Sequence, residues 1–257
     1  MKNNKNYNYL IQCAGGKRLL RKTIGAMIPA DIESYTEPFG GGAWVLFYKD
    51  RWAELEVYND LDGRLVNLFN IVKYHPCELA RQMCFMPASR EQFNQYLKSD
   101  GITDIQRAAR FLYITAYSFG AKGKTFGTSK SRCIKSAGGI IERINEISKR
   151  LDKVLIEHKN ALDVIKEYDG ENKFFYIDPL YTKGTGYDII SLKDFNHKEL
   201  AQTIKSIKGR FILSYNDCPE IRELYKEFNI IEVSRHKGIN NINVKDNIYK
   251  ELIIRNF

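Results

Sequence analysis

The chain has 257 residues, 44% hydrophobic and 28% charged, with a formal net charge of +9. That is enough to bury a sizeable core, and the balance is ordinary for a soluble domain. No apolar run reaches membrane-spanning length, and MKNNKNYNYL at the start has no continuous apolar segment of signal-peptide type, so a cytoplasmic location is the expectation.

The first sixty residues read as helix, strand, helix, strand. RLLRKTIGAMI (Arg18–Ile28) has apolar residues at helical spacing, and IESYTEPF (Ile32–Phe39) is a strand running into glycines. Ala43–Asp50 reads as helical, and LEVYND (Leu55–Asp60) as a second strand. Leu61–Tyr74 is an amphipathic helix with Leu65, Leu68, Phe69 and Val72 on one face. Helical patterns follow at Pro76–Phe85, Glu91–Lys98 and Asp104–Phe119. Ile140, Ile144, Ile147 and Leu151 mark one more helix.

Strands then alternate with helices again. Lys153–Lys159, Asn172–Asp178, Arg210–Asp217, Asn229–Ser234 and Lys250–Phe257 are the strand candidates. Asp217, Pro219 and Glu220 read as a capping-box-like start to a helix that runs to Phe228. The alternation predicts an α/β fold with a largely parallel sheet. The sheet would be assembled from both ends of the chain (1–74 and 151–257), with a mainly helical module inserted at 75–150.

Between Asp104 and Glu142 there is no acidic residue, while Arg107, Arg110, Lys122, Lys124, Lys130, Arg132 and Lys135 fall there. Aromatic rings are interleaved. In the helix before Phe119 those rings read as core; the polar stretch Gly120–Arg132 reads as a surface for a polyanion. Arg235–Asn247 is a second basic loop, read as solvated. Cys13, Cys77, Cys84, Cys133 and Cys218 are far apart without a C-x-x-C pair, which points to free thiols rather than a disulfide framework or a zinc site.

Four short stretches carry chemistry. EPFGGGAW (Glu37–Trp44) places three glycines between a strand and a helix, where backbone can approach a ligand closely. Asp60 ends the next strand about 20 residues on, the separation at which an acid binds ribose hydroxyls. Capping of the following helix is the bland alternative; taken with the glycines, the ribose reading is preferred. Neither G-x-G-x-x-G nor a P-loop is present, so the ligand is adenosine-like without a need for phosphates. Asp178, Pro179, Leu180 and Tyr181 follow a strand, at the sheet edge where open α/β folds bind ligands. Ala14-Gly15-Gly16-Lys17 is a loop before a helix.

In order, AGGKRLL, YTEPFGGGAW, VYNDLDGRLVNLF, FFYIDPLY and FILSYND resemble the Dam-type DNA adenine N6-methyltransferases, and the final ELIIRNF is similar to that family's last strand. The resemblance implies a Rossmann-like methyltransferase sheet, S-adenosyl-L-methionine as cofactor and double-stranded DNA as partner. Cys13, Lys17, Phe39, Gly41, Asp60 and Asp178 match cofactor-contact positions, and Asp178, Pro179 and Tyr181 match the D-P-P-Y loop that grips a flipped adenine. The acid-free basic region falls in the family's target-recognition slot, so Lys122, Lys124, Lys130 and Arg132 are the DNA-contact candidates. A cognate restriction endonuclease and a monomeric state are further expectations.

Two departures stand out. Ala43 replaces the last glycine of F-x-G-x-G, and Leu180 replaces the second proline of D-P-P-Y. Leucine frees a φ angle that proline would fix and adds bulk near the target base. A DNA-binding relative with impaired catalysis is therefore the alternative. Transfer to cytosine N4 or to a protein amide, and a nicotinamide-dependent reductase, are weaker readings; the acid that opens the loop and the missing glycine fingerprint count against them.

Overall fold

The structure, a computed structural model, describes residues 7, 9–11, 17–121, 123–127, 136–181, 195–236 and 248–257. Its centre is a seven-stranded sheet of β1 (Ser34–Glu37), β2 (Leu55–Asn59), β3 (Val154–Glu157), β4 (Lys173–Ile177), β5 (Arg210–Asn216), β6 (Asn229–His236) and β7 (Ile248–Arg255). The order is β3-β2-β1-β4-β5-β7-β6. β1 to β5 pair in parallel, and β7 lies antiparallel between β5 and β6. The expected α/β, Rossmann-like architecture is borne out. Strand order reverses between the neighbours β1 and β4, so their carboxyl ends border a crevice at a topological switch point.

The apolar run in β4 follows from burial on both faces. Phe174 and Tyr176 pack into one core, and Phe175 and Ile177 into the other. The same alternation divides Ile212 from Phe211 and Leu213 in β5, and Ile253 from Leu252 and Ile254 in β7.

The helices are α1 (Arg21–Met27), α2 (Gly63–Tyr74), α3 (Pro76–Cys84), α4 (Arg90–Tyr96), α5 (Asp104–Tyr117), α6 (Ala137–Leu151), α7 (Ala161–Tyr168), α8 (His197–Lys205) and α9 (Pro219–Leu224). Side-chain caps start many of them: Asp62 for α2, Ser89 for α4, Ser136 for α6, Asn160 for α7, and Thr103 with Gln106 as a capping box for α5. The predicted apolar faces of α2 and α6 are buried. α3 to α6 fall between α2 and β3 in the chain; their Leu79, Phe93, Leu112 and Ile144 share one buried cluster with Phe69 of α2 and Phe174 of β4.

Three local readings change. Ala43–Asp50 is not a helix but holds a single 3-10 turn at Leu46–Tyr48, because Ala43 adopts φ +54° and Lys49 is extended. Asp217 does not cap α9. Cys218 occupies the cap position without a side-chain bond, Asp217 instead takes Arg222 at 2.7 and 2.9 Å, and the helix ends at Leu224. β6 runs to His236, so the stretch read as a basic loop begins as strand. α7 and α8 were not among the sequence-derived elements.

Arg150, near the end of α6, is tied into the sheet. It pairs in a fork with Glu56 of β2, both bonds 2.7 Å, and donates to Lys49 O at 2.8 Å and Leu46 O at 2.9 Å. Both side chains are 2% exposed. Removing one member of such a pair strands a buried charge. Arg150→Met is therefore expected to lower unfolding free energy by about 3–5 kcal/mol, measured from the denaturant midpoint. An unchanged midpoint would contradict this role for the pair.

Candidate active site

The glycine turn after β1 is built by its neighbours. Asn59 donates to Pro38 O at 2.8 Å, and Gly40 N–H donates to Asn59 O at 2.7 Å. A β-carbon on Gly40 would lie 2.2 Å from the Tyr58 ring, so this position excludes other residues. Gly41 has φ +50°, and a β-carbon there would meet nothing within 4 Å. The turn thus presents backbone to open space. Tyr58 donates its hydroxyl to Gly41 O at 2.9 Å. Ala43 occupies left-handed space at a cost of about 1–2 kcal/mol.

Asp60 tethers this turn. Its Oδ2 accepts from Gly41 N–H at 2.7 Å and its Oδ1 from Asp62 N–H at 2.8 Å. Asp62, not Asp60, caps α2. Burial pushes the Asp60 carboxyl above its usual range, against the pull of those two N–H donors.

A second cluster forms past the end of β4. Lys17 Nζ donates to Asp178 Oδ1 at 2.6 Å and lies 4.0 Å from Glu251 Oε2. Lys17 is 3% exposed, Glu251 0% and Asp178 20%. Glu251 arrives because β7 runs antiparallel to β5, with Glu251 opposite Asn216 at the carboxyl end of β5. Tyr181 donates its hydroxyl to Glu251 Oε2 at 3.2 Å, and the Lys17 ammonium lies 4.7 Å from the Tyr181 ring centre. Burial raises the Asp178 pKa; Lys17 pulls it down, and the Glu251 charge pushes it up again.

Rings connect the two clusters. Phe39 meets Phe195 at 5.9 Å, Phe195 meets His197 at 5.0 Å, and His197 meets Tyr215 at 5.7 Å. Tyr215 stacks on Tyr181 at 5.6 Å and hydrogen-bonds His197 Nδ1 through its hydroxyl. Burial holds the His197 pKa below its ordinary value. Phe39, Gly41 and Asp60 therefore fall on one side of the crevice, and Lys17, Asp178 and Tyr181 on the other. Pro179 and Leu180 are buried beside Asp178.

The basic stretch is described in part. Lys124 is exposed in a tight turn closed by Phe119 N–H to Thr125 O at 2.8 Å and Gly127 N–H to Tyr117 O at 2.7 Å. Tyr113 and Tyr117 are core residues, as expected, and Phe126 packs on Phe93 at 5.6 Å. Arg107 and Arg110 bond to carbonyls of the 99–102 loop. Cys13, Lys122, Lys130, Arg132 and Lys135 lie outside the described residues. Cys77, Cys84 and Cys218 are free thiols. No helix among the described residues is long and apolar enough to cross a membrane.

Glu37, Glu251, Tyr215 and His197 are site residues that the sequence reading did not single out. In the sequence, Glu37 stands only as the first letter of the glycine motif, and Glu251 only within ELIIRNF.

Residues 14–239 match the D12 class of N6 adenine-specific DNA methyltransferases. The chain belongs to this family, whose members act on adenine N6 in DNA. It is 27% identical to the Type II methyltransferase M1.LlaDCHI of Lactococcus lactis subsp. cremoris, over 92% of this chain and 92% of that one. It is 25% identical to the Type II methyltransferase M.CviBI of Paramecium bursaria Chlorella virus NC1A, over 84% and 85%. M.MjaIII of Methanocaldococcus jannaschii, also a Type II methyltransferase, is 25% identical over 96% and 98%. A putative RNA methyltransferase from Pyrococcus horikoshii superposes loosely, with a TM-score of 0.42 at 10% identity over 99% of this chain and 89% of that one.

Glu37 gives this site a pH signature. Burial outweighs the hydrogen bond from Tyr35 and lifts its carboxyl from 4.5 to about 8, with the Asp178 charge adding to the rise. The native state then binds a proton that the unfolded state has released, so stability falls as pH rises from about 4.5 to about 8. Glu37→Gln removes that titration. The stability of Glu37→Gln minus that of the parent is expected to grow across this window in thermal unfolding; parallel profiles would contradict the assignment.

Proposed function

We propose that this DNA adenine N6-methyltransferase uses S-adenosylmethionine as donor and acts on an adenine swung out of double-stranded DNA. The carrying observation is the placement of Asp178 past the end of β4, next to the switch point and across the crevice from the glycine turn.

The residues fit the cofactor. Gly41 fronts open space, Asp60 holds the turn at the end of β2, and Phe39 and Lys17 flank the crevice. When bound, S-adenosylmethionine supplies an electrophilic methyl carbon on a positively charged sulfur. In this reading Phe39, Gly41 and Lys17 bind it and Asp60 accepts from its ribose hydroxyls. Cys13, four positions before Lys17 in the chain, is assigned to the same contact by the resemblance alone.

The adenine amino group is a weak nucleophile, because its lone pair is delocalised into the ring. Asp178 accepts one N6 hydrogen and the Pro179 carbonyl the other, which favours a pyramidal nitrogen. Asp178 would stabilise the positive charge that develops on N6 as it receives the donor's methyl group, and the N6 proton would then pass to solvent. Proline at 179 stiffens the grip, where about 1 Å of misplacement costs about a hundredfold in rate. Tyr181 stacks on the extruded base. To do so its ring gives up part of its packing on Tyr215 or Lys17.

The burial of Leu180, 8% exposed, favours an active enzyme in this reading, because its bulk does not stand free in solvent beside Asp178. The impaired reading would be favoured by tight binding of S-adenosylmethionine without transfer. The chain acts as a monomer here. Its likeness to Type II methyltransferases suggests a cognate restriction endonuclease as a companion.

Asp178→Ala is expected to slow methyl transfer to DNA by at least about a hundredfold. The measurement is incorporation of labelled methyl from S-adenosylmethionine into mixed DNA, followed by mapping of modified bases. Full rate in that variant, or label on cytosine, would sink the proposal.

Lys122, Lys124, Lys130 and Arg132 hold phosphates in this reading. Replacing them together with glutamine is expected to weaken DNA binding on all sequences and flatten its salt dependence, by roughly 0.9 in log–log slope for each phosphate no longer neutralised. An unchanged slope in a salt titration would place the DNA elsewhere.

A further inference from the structure

One buried cation stands between two carboxylates, Asp178 partly exposed and Glu251 fully buried. Lys17 bonds Asp178 at 2.6 Å, while Glu251 Oε2 is 4.0 Å from the same ammonium. An ammonium carries three donors on a flexible stem and no acceptor, so a small rotation transfers its bond from one carboxylate to the other. Glu251 Oε2 also accepts from the hydroxyl of Tyr181 at 3.2 Å.

Two observations set Glu251 apart from a plain structural ion pair. It is fully buried in a strand whose next three residues, Leu252, Ile253 and Ile254, are apolar and equally buried. A buried carboxylate is costly, and apolar replacements of buried ion pairs are often neutral or stabilising. In addition, it lies against both the cation on Asp178 and the hydroxyl of Tyr181 in the D-P-L-Y loop, so it touches both parts of the site at once.

We propose that Glu251 is a positioning residue: it receives the Lys17 ammonium when the target amine takes the place of Lys17 on Asp178, and it holds Tyr181 by the hydroxyl. This rests on the reading of Asp178 as the acceptor for N6. Lys17 holds Asp178 Oδ1 at 2.6 Å, so an amine that takes that oxygen displaces the ammonium. Without a second seat, pulling the ammonium away from Asp178 would strand a buried charge. Glu251 supplies that seat, so the ammonium stays paired while Asp178 turns to the amine.

The test compares full-length Glu251→Gln, Glu251→Asp, Lys17→Met, Lys17→Met/Glu251→Gln and Asp178→Ala in single-turnover methylation at saturating DNA. Glutamine keeps an acceptor for Tyr181 and removes the charge, so a role limited to holding the ring predicts no loss. The exchange predicts a slower maximal rate for Glu251→Gln, by roughly ten- to a hundredfold, with little change in apparent KM for DNA. It also predicts substantial retention of rate in Glu251→Asp. The double variant removes both charges and should be no slower than Lys17→Met alone, because Glu251 acts through Lys17. Parent-like rate in Glu251→Gln, or multiplied losses in the double variant, would overturn the proposal. If Asp178→Ala kept full rate, the reading of the site itself would fall. An inactive Asp178→Ala beside a fully active Glu251→Gln would remove only the role given to Glu251.

Discussion

The site depends on a single buried ammonium held against carboxylates. Lys17 meets Asp178, with Glu251 behind it and the face of Tyr181 beside it. Each carboxylate would be costly alone in this environment, and burial does raise the Asp178 pKa despite its partner. The cation compensates the acid that stands past the end of β4. The loop that carries Asp178 is then anchored on three sides: by Lys17 from near the N-terminus, by Glu251 from the last strand, and by Tyr215 from β5.

Topology explains why these distant residues converge. Parallel strands deliver their carboxyl ends to one edge, and the order reverses between β1 and β4. The glycine turn follows β1 and Asp178 follows β4, so both stand at the switch point. The antiparallel β7 brings the start of its strand, with Glu251, to the same edge. Asp60 locks the glycine turn to the end of β2 through Gly41. The Arg150–Glu56 fork joins α6 to β2.

Much of this was legible in the sequence, and the rest was hidden for physical reasons. Strands buried on both faces read as apolar runs, and Ile140, Ile144, Ile147 and Leu151 marked α6 by spacing alone. The motifs located Lys17, Gly41, Asp60 and Asp178 correctly at strand ends and turns. Ala43–Asp50 misled because Ala43 to Phe47 are all apolar and buried, so no periodicity reveals that Ala43 is left-handed. Asp217 looked like a cap, but Arg222 five residues on competes for it as a charged partner. Glu251 lies 73 positions after Asp178, and only the antiparallel register of β7 makes them neighbours. Lys122, Lys130 and Arg132 lie outside the described residues, so their part in DNA contact still rests on charge pattern.

The most direct measurement is a crystal structure of the enzyme with a non-reactive analogue of the methyl donor and a duplex carrying its mapped target adenine. Adenine N6 should lie within hydrogen-bond distance of an Asp178 oxygen and of the Pro179 carbonyl, with Lys17 moved onto Glu251. An adenine that remained stacked in the duplex, or one bound with N6 away from Asp178, would contradict the account.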